Sequence, residues 1–338
     1  MIKDLGIDEL GELGWNEFVL AHPSGSVFHH SAWHRVMERT YGFRARYLVS
    51  RDIHKNISSA MPYAQARGIF GTRKLISYPF SDHCGPLLDE PSDFDRLLDF
   101  IRRGIRSSSI EIRACGAVPA PEDAAPQYYN DIIRLDNGPE AAYRDFHKDC
   151  VRRAIAKAER NGVEVVGAGG LEGMKAYYSL HLATRKRHGV PPQPFSFFRN
   201  IHETLSPEGM ASVLFAVKDG RSVAGMITLR LGKKAYYKFG ASSRACPPGA
   251  NQLLMWRAME RAAKEGCVEF DLGRTAASNA GLMEYKARWG GERRPLRYFR
   301  SPERKRMIED NRLVTNVIKR LPSFSNRLIG ELVYKYMA

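Results

Sequence analysis

The strongest constraint in this chain is an order of elements that occurs twice. In the first half, hydrophobic spacing predicts a helix within Ser26–Tyr41, with Ser31 as its cap and Trp33, Val36 and Met37 on its apolar side. A hairpin follows, Ala45–Ser50 and Ile57–Ala66 around a polar turn at His54–Asn56. Then come a strand at Lys74–Pro79, the loop FSDHCGPLL, a helix over Phe94–Ile105, and strands at Ile110–Ala114 and Ile132–Leu135. The second half returns the same series: a helix over Ala176–Arg187, a hairpin of Val213–Val217 and Val223–Leu231, and a strand at Ala235–Gly240. The loop ASSRACPPGANQ then feeds a helix at Leu253–Lys264 and a strand at Val268–Leu272. The halves share no evident identity, yet the periods return in the same order and at similar lengths. That pattern predicts an α/β (α+β) chain with two copies of one unit, each a mixed sheet flanked by helices. Asn137-Gly138-Pro139 carries the strongest breaker chemistry between them. The expected domains are therefore 1–138 and 139–302, followed by a helical tail over 303–338.

Composition narrows the class of partner. The chain has 338 residues, 43% of them hydrophobic, enough for two domains with sizeable cores. Its net charge of +15 favours anionic partners, whether nucleic acid, sugar nucleotides or an acidic membrane surface. No apolar run approaches membrane-spanning length, and MIKDLGIDELGELGW has no signal-peptide pattern, so the expected location is the cytoplasm. Cys84, Cys115, Cys150, Cys246 and Cys267 are scattered without paired spacing, as reduced thiols are. His30 and His34 share a helix face as metal ligands would, but no third ligand is evident and no metal is expected.

Two stretches carry candidate chemistry. In VEFDLGRTAASNAGLMEYKARWGGERRPLRY, the strand Val268–Leu272 is expected to break at Gly273-Arg274 into a loop. A short helix then places Leu282, Tyr285 and Trp289 on one stripe, with Lys286 at its edge, and Gly290-Gly291 ends it before a strand at Pro295–Phe299. Lys286 is either a snorkelling surface lysine or a cation aimed into a cleft. Between the copies, Ala141–Arg160 reads as one basic helix with Phe146, Val151 and Ile155 on its buried side. Arg153, Lys157 and Arg160 share a face, which is either solvated or a phosphate contact.

Taken together, CVRRAIAKAERNGVEV, TRKRHGVPPQPFSFF, YYKFGAS, PPGANQLLMWRAMERAAKEG and DLGRT…GLMEYKARWG cover nearly all of residues 145–300. In order and spacing they resemble the FemAB-like branch of the GNAT acyltransferase superfamily; the first half matches chiefly at the hairpin and the HCGPLL loop. The resemblance implies two tandem GNAT-like domains with a cleft between them and transfer of an acyl or aminoacyl group to an amine. Fem enzymes move amino acids from aminoacyl-tRNA onto peptidoglycan precursors, and a lysine in their counterpart of YKARW is thought to steady the transition state; here it is Lys286. An amine attacking an activated carbonyl builds negative charge on its oxygen, which a cation in a dry cleft stabilises. No cofactor is required, and the donor is an aminoacyl-tRNA or an acyl-CoA.

The resemblance also assigns substrate contacts, each with a plainer alternative. Arg187 matches a position near the acceptor, or complements a helix dipole. Tyr237 matches a cleft tyrosine, or is strand packing. Asp271 orients the amine or takes its proton, or caps the next loop. Asp82 and His83 precede the turn where the family's first domain meets its acceptor, and Tyr285 and Arg274 flank the lysine motif as further substrate-binding candidates. The usual pyrophosphate loop, RxxGxG/A, is absent; Arg244-Ala245-Cys246-Pro247-Pro248-Gly249-Ala250 stands in its place, leaving Arg244, Gly249 and a helix N-terminus to hold phosphate with Arg153 and Lys157. The helical hairpin by which some Fem enzymes bind tRNA is also missing.

The tail NVIKRLPSFSNRLIGELVYKYMA resembles those of FemAB-related proteins found with exopolysaccharide and PEP-CTERM/exosortase clusters. Leu313, Val314, Val317, Ile318 and Leu321 form one stripe and Leu328, Ile329, Leu332, Val333 and Tyr336 a second, beside Lys319, Arg320, Arg327 and Lys335. Such a pair either packs on the protein or lies on the inner face of an anionic membrane. The expected function is acyl or aminoacyl transfer to a peptidoglycan-type peptide, an amino sugar or a lipid-linked saccharide. The alternatives are a CoA-dependent N-acetyltransferase of exopolysaccharide synthesis and a non-catalytic nucleotide-sugar-binding or scaffold protein.

Overall fold

The computed structural model describes residues 2–11, 14–67, 71–115, 126–302, 329–331 and 334–336. The chain forms two mixed α/β units. The first comprises Met1–Tyr129, Pro295–Arg306 and Lys335–Ala338; the second comprises Asn130–Arg294 and Met307–Tyr334.

The first unit runs β1 (Lys3–Gly6), α1 (Ile7–Gly11), α2 (Trp15–Ala21), α3 (Ser31–Tyr41), β2 (Ala45–Arg51), β3 (Ile57–Arg67), β4 (Arg73–Ile76), α4 (Asp93–Gly104) and β5 (Ser109–Cys115). Strands β1 to β4 pair antiparallel with their neighbours in order, and β4 pairs parallel with β5. A parallel pair needs a crossover, and α4 supplies it. The strand Glu292–Ser301 returns to pair antiparallel with β5, Leu296 opposite Cys115 and Ser301 opposite Ile110. The apolar face of α4 (Phe94, Leu97, Leu98 and Ile101) packs in one cluster with Leu48, Met61, Leu75 and Ile112 of the strands.

His30 rather than Ser31 caps α3, its Nδ1 accepting from the Ala32 N–H at 3.2 Å. Burial lowers its pKa to about 4. His34 is fully buried. Its Nε2 donates to the Phe28 carbonyl at 2.8 Å, which leaves Nδ1 to accept from the Tyr47 hydroxyl at 2.5 Å. Both histidines are thus occupied as helix cap and core hydrogen-bonding group. Among the described residues no group of three or more His, Cys, Asp or Glu is placed to hold a metal.

The second unit contains β6 (Tyr128–Arg134), α5 (Pro139–Asp145), α6 (Arg153–Arg160), β7 (Glu164–Ala168), α7 (Gly170–His188), α8 (Phe195–Leu205), β8 (Ala211–Lys218), β9 (Arg221–Leu231), β10 (Lys234–Ser242), α9 (Ala250–Lys264), β11 (Glu269–Ala276) and α10 (Ala280–Ala287). The strand Glu292–Ser301, β12, begins there. The sheet order is β6-β11-β10-β9-β8-β7. The breaker tripeptide starts a helix: Gly138 has φ +85° and Pro139 opens α5.

The expected single basic helix is two. Phe146 turns extended and buries its ring against Trp256 and Trp289. The His147 side chain then caps a π turn over Lys148–Arg152, accepting from the Asp149 and Cys150 N–H groups, and α6 follows. Burial of Phe146 outweighs helix continuity because the break is recapped at once. Helix α8 is an addition to the spacing-based reading.

Most of the amphipathic tail lies outside the described residues. Within them Gly330 and Tyr334 are buried, and a Cβ on Gly330 would come within 2.1 Å of the Pro192 carbonyl oxygen. No helix among the described residues is long and apolar enough to cross a membrane.

Candidate active site

The site arises where two parallel strands part. β10 and β11 pair only over Lys234–Tyr236 and Glu269–Asp271, although both strands run on to Ser242 and Ala276. A further distortion lies just beyond the last pair: Lys238 is bulged between Tyr237 and Phe239 in the register with β9. The strands therefore open a slot, and Tyr237, Leu272, Leu254 and Met255 line it. Gly240 is required there, because a Cβ would lie 2.1 Å from the Tyr237 hydroxyl. Burial raises the pKa of both phenols beside the slot, Tyr237 and Tyr285, so they stay protonated at neutral pH.

Lys286 closes one end. Strand β11 does not break at Gly273-Arg274 but continues, with Gly273 at φ +78°. The Gly273 peptide is held from both sides: its N–H donates to Asp271 Oδ1 at 2.7 Å, and its carbonyl accepts from Lys286 Nζ at 2.5 Å. Lys286 is 5% exposed, so it is a buried lysine lining the slot rather than a snorkelling residue. Leu282, expected in the apolar stripe, is instead 37% exposed. The reason is the anchor of α10. Trp289 is wholly buried against Phe146, the His147 N–H bonds to the Arg288 carbonyl, and Gly290 approaches Asp145 too closely for a Cβ, which would lie 2.6 Å from its carbonyl oxygen. These contacts turn Tyr285, Lys286 and Trp289 inward and leave Leu282 at the rim.

The other end is an open cradle at the start of α9. Gly249 takes the left-handed conformation, φ +88°, and its missing Cβ would sit 2.1 Å from the Ala154 carbonyl oxygen of α6. No side chain caps α9 and its first turn holds no acid, so its positive end remains available to an anion. Arg244, Cys246, Gly249, Asn251 and Gln252 line an open cleft of about 680 Å³ here. Burial raises the Cys246 thiol pKa. The adjoining slot at Lys286 is about 320 Å³. Both clefts share Arg187, Ser242, Asn251 and Gln252. Arg187 is fixed at this junction by Ser242, donating to its carbonyl and its Oγ at 3.1 Å each. Thr184 Oγ1 in turn accepts from the Ser242 N–H at 2.9 Å.

The expected site residues thus fall into five groups. Lys286, Tyr285, Tyr237 and Arg187 line the slot, while Arg244 and Gly249 line the cradle with Arg187. Asp271 stands behind the slot, buried, with Oδ2 accepting from Asn130 Nδ2 at 2.8 Å. Arg274, Arg153 and Lys157 line neither cleft; Arg153 pairs with Asp149, and α6 offers only Ala154 to the cradle. Asp82 and His83 belong to the first unit, where the Asp82 carbonyl accepts from the Tyr298 hydroxyl at 2.5 Å and His83 packs on Phe28. Ser242, Thr184, Asn251 and Gln252 were not singled out from sequence. Their local signal is no more than polar residues near a helix end, at a strand end and at a helix start.

Residues 145–287 match the acetyltransferase (GNAT) domain family. Among solved structures, the crystal structure of FemX is 15% identical and covers 89% of this chain and 96% of its own, with a TM-score of 0.67. A tandem GNAT protein from the clavulanic acid biosynthesis pathway is 12% identical, covers 90% and 100%, and has a TM-score of 0.53. The C-terminal domain of a putative lysylphosphatidylglycerol synthetase from Agrobacterium fabrum is 14% identical, covers 93% and 97%, and has a TM-score of 0.51. No curated protein sequence matches the chain. The fold is that of the GNAT acyltransferases.

Proposed function

We propose that the second unit transfers an acyl or aminoacyl group from an activated, phosphate-bearing donor to an amine of a cell-envelope precursor. The observation that carries this reading is the pair of adjoining clefts, with an anion cradle at α9 and Lys286 in the slot. Donor phosphates would sit on the first turn of α9 with Arg244 and Arg187, while the reactive carbonyl enters the slot. The amine nitrogen bonds to the carbonyl carbon, the carbonyl–sulfur or ester carbonyl–oxygen bond breaks, and the amine proton ends on the leaving thiol or hydroxyl. Lys286, fixed by the Gly273 carbonyl, stabilises the oxyanion formed between these steps. Asp271 holds the Gly273 turn that seats Lys286, a positioning role.

Likeness to FemX supports an aminoacyl donor and a peptidoglycan-type acceptor, and likeness to the putative lysylphosphatidylglycerol synthetase supports a lipid-linked one. The open start of α9 and the GNAT family match favour a second reading, a CoA-dependent N-acetyltransferase of exopolysaccharide synthesis. In either case the protein would work in the cytoplasm, with the basic tail offering contact to the membrane's inner face. Mass spectrometry of copurifying ligands separates CoA, charged tRNA and a nucleotide sugar. A nucleotide sugar bound without turnover of any activated donor would replace both readings with a binding protein.

A further inference from the structure

Among the described residues the charged or ionisable side chains that line the two clefts include Arg187, Arg244, His188 and Lys286, and no aspartate or glutamate. Arg187 is held by neutral acceptors alone, the Ser242 carbonyl, Ser242 Oγ and Thr184 Oγ1. Among the described residues neither Arg187 nor Arg244 has an acidic partner. The acid on the wall strand, Asp271, is turned to Gly273 and Asn130 and does not line the slot. The two phenols stay protonated and supply no counter-charge. An ammonium group entering the slot would lose water and meet like charge, with no carboxylate to receive it. Every aminoacyl group brings such a cation, because α-amines ionise near neutral pH.

Resting on the transfer reading above, we propose that the cleft filters donors by charge. It takes an acyl group that is neutral or carries a carboxylate, and rejects one that carries an ammonium, aminoacyl groups included. The apolar slot walls Met226, Leu254, Met255 and Leu272 suit a neutral acyl chain, and Arg187 at the junction suits a carboxylate on it.

The test uses the full chain and three CoA thioesters of similar length: butyryl-CoA (neutral), succinyl-CoA (anionic) and β-alanyl-CoA (cationic). Titration calorimetry should find β-alanyl-CoA bound at least about tenfold more weakly than butyryl-CoA, and succinyl-CoA at least as tightly as butyryl-CoA. Arg187→Gln should narrow the spread to about threefold or less. Equal or tighter binding of β-alanyl-CoA overturns the charge filter and leaves the transfer reading standing. So does consumption of glycyl- or lysyl-tRNA by a chain that ignores all three thioesters. If no thioester binds and no charged tRNA is consumed, the transfer reading falls, and the filter with it.

Discussion

The two units contain the same strand–helix–strand crossover, yet one is filled by its own chain and the other is open. In the first unit β4 and β5 pair in parallel over Lys74–Ile76 and Ser109–Glu111; in the second, β10 and β11 pair over an equal length. Beyond that point the first unit closes its gap. The Ser77 N–H bonds to the Glu111 carbonyl at 2.9 Å, the Arg113 N–H to Ser77 Oγ at 2.8 Å, and the Cys84 N–H to the Arg113 carbonyl at 2.8 Å. The helices differ in the same sense. α4 begins with Asp93 and Asp95, and Asp93 is buried on Ser59 and Arg96, so its positive end already has carboxylates. α9 begins with Gly249, Ala250, Asn251 and Gln252 and has none. A shared topology supplies the crossover; the loop and the first turn decide whether it can receive a ligand.

The largest break in that comparison should come at Lys286. Lys286→Ala is expected to lower turnover by about 10²-fold, the scale of losing one oxyanion donor, with circular dichroism unchanged. Full activity in that variant would reduce the open slot to a packing feature.

Gly249→Ala and Gly85→Ala compare the two loops directly. A Cβ at Gly249 would lie 2.1 Å from the Ala154 carbonyl oxygen, and one at Gly85 would lie 2.8 Å from Ala114 Cα. Gly249 also carries the positive φ. Gly249→Ala should cost roughly 2–3 kcal/mol in urea unfolding and weaken donor binding; Gly85→Ala should destabilise without touching donor affinity. Loss of donor affinity in both would mean that the first unit also contributes to the donor site.

Acid should loosen the first unit before the second. Its His30 titrates near 4 and His34 well below its ordinary value, whereas the second unit holds His181, lowered by burial to about 3. Each folded pKa lies below the unfolded value, so the unfolded chain binds more protons in between. The stability contribution is complete above about pH 6.5 and is lost as pH falls toward the folded values, about 2 kcal/mol from His30 by about pH 5. His30→Asn keeps a capping side chain and should flatten this slope. Hydrogen exchange at pH 5 and pH 8, resolved by peptide, checks it; equal loss of protection in both units would refute the difference.

The mildest change makes the second unit resemble the first. Asn251→Asp places an acid in the first turn of α9 and should weaken binding of a phosphate-bearing donor about tenfold, leaving thermal stability nearly unchanged. Unaltered affinity would move the phosphates off that helix end.

The hairpins, both crossover helices and the doubled order of elements were legible in the sequence, because they rest on periods of 2 and 3.6 residues that local burial enforces. Lys286 was legible as a candidate from its motif, but Leu282 was assigned inward. Spacing names a stripe to within one residue, and only the burial of Trp289 on Phe146 sets the rotation of α10. The break at Phe146 was hidden for the same reason: His147 recaps the chain through a side chain whose partners are conformational, not compositional. By itself the sequence determined a basic, twice-repeated α/β chain with a lysine and a glycine-led helix in its second half. Tertiary structure alone decided that β10 and β11 part after three paired residues, that Arg187 meets Ser242 across 55 positions, and that among the described residues no carboxylate lines the slot. Those are properties of long-range packing, where the cost of a buried charge or the room for a Cβ depends on atoms far away in the chain.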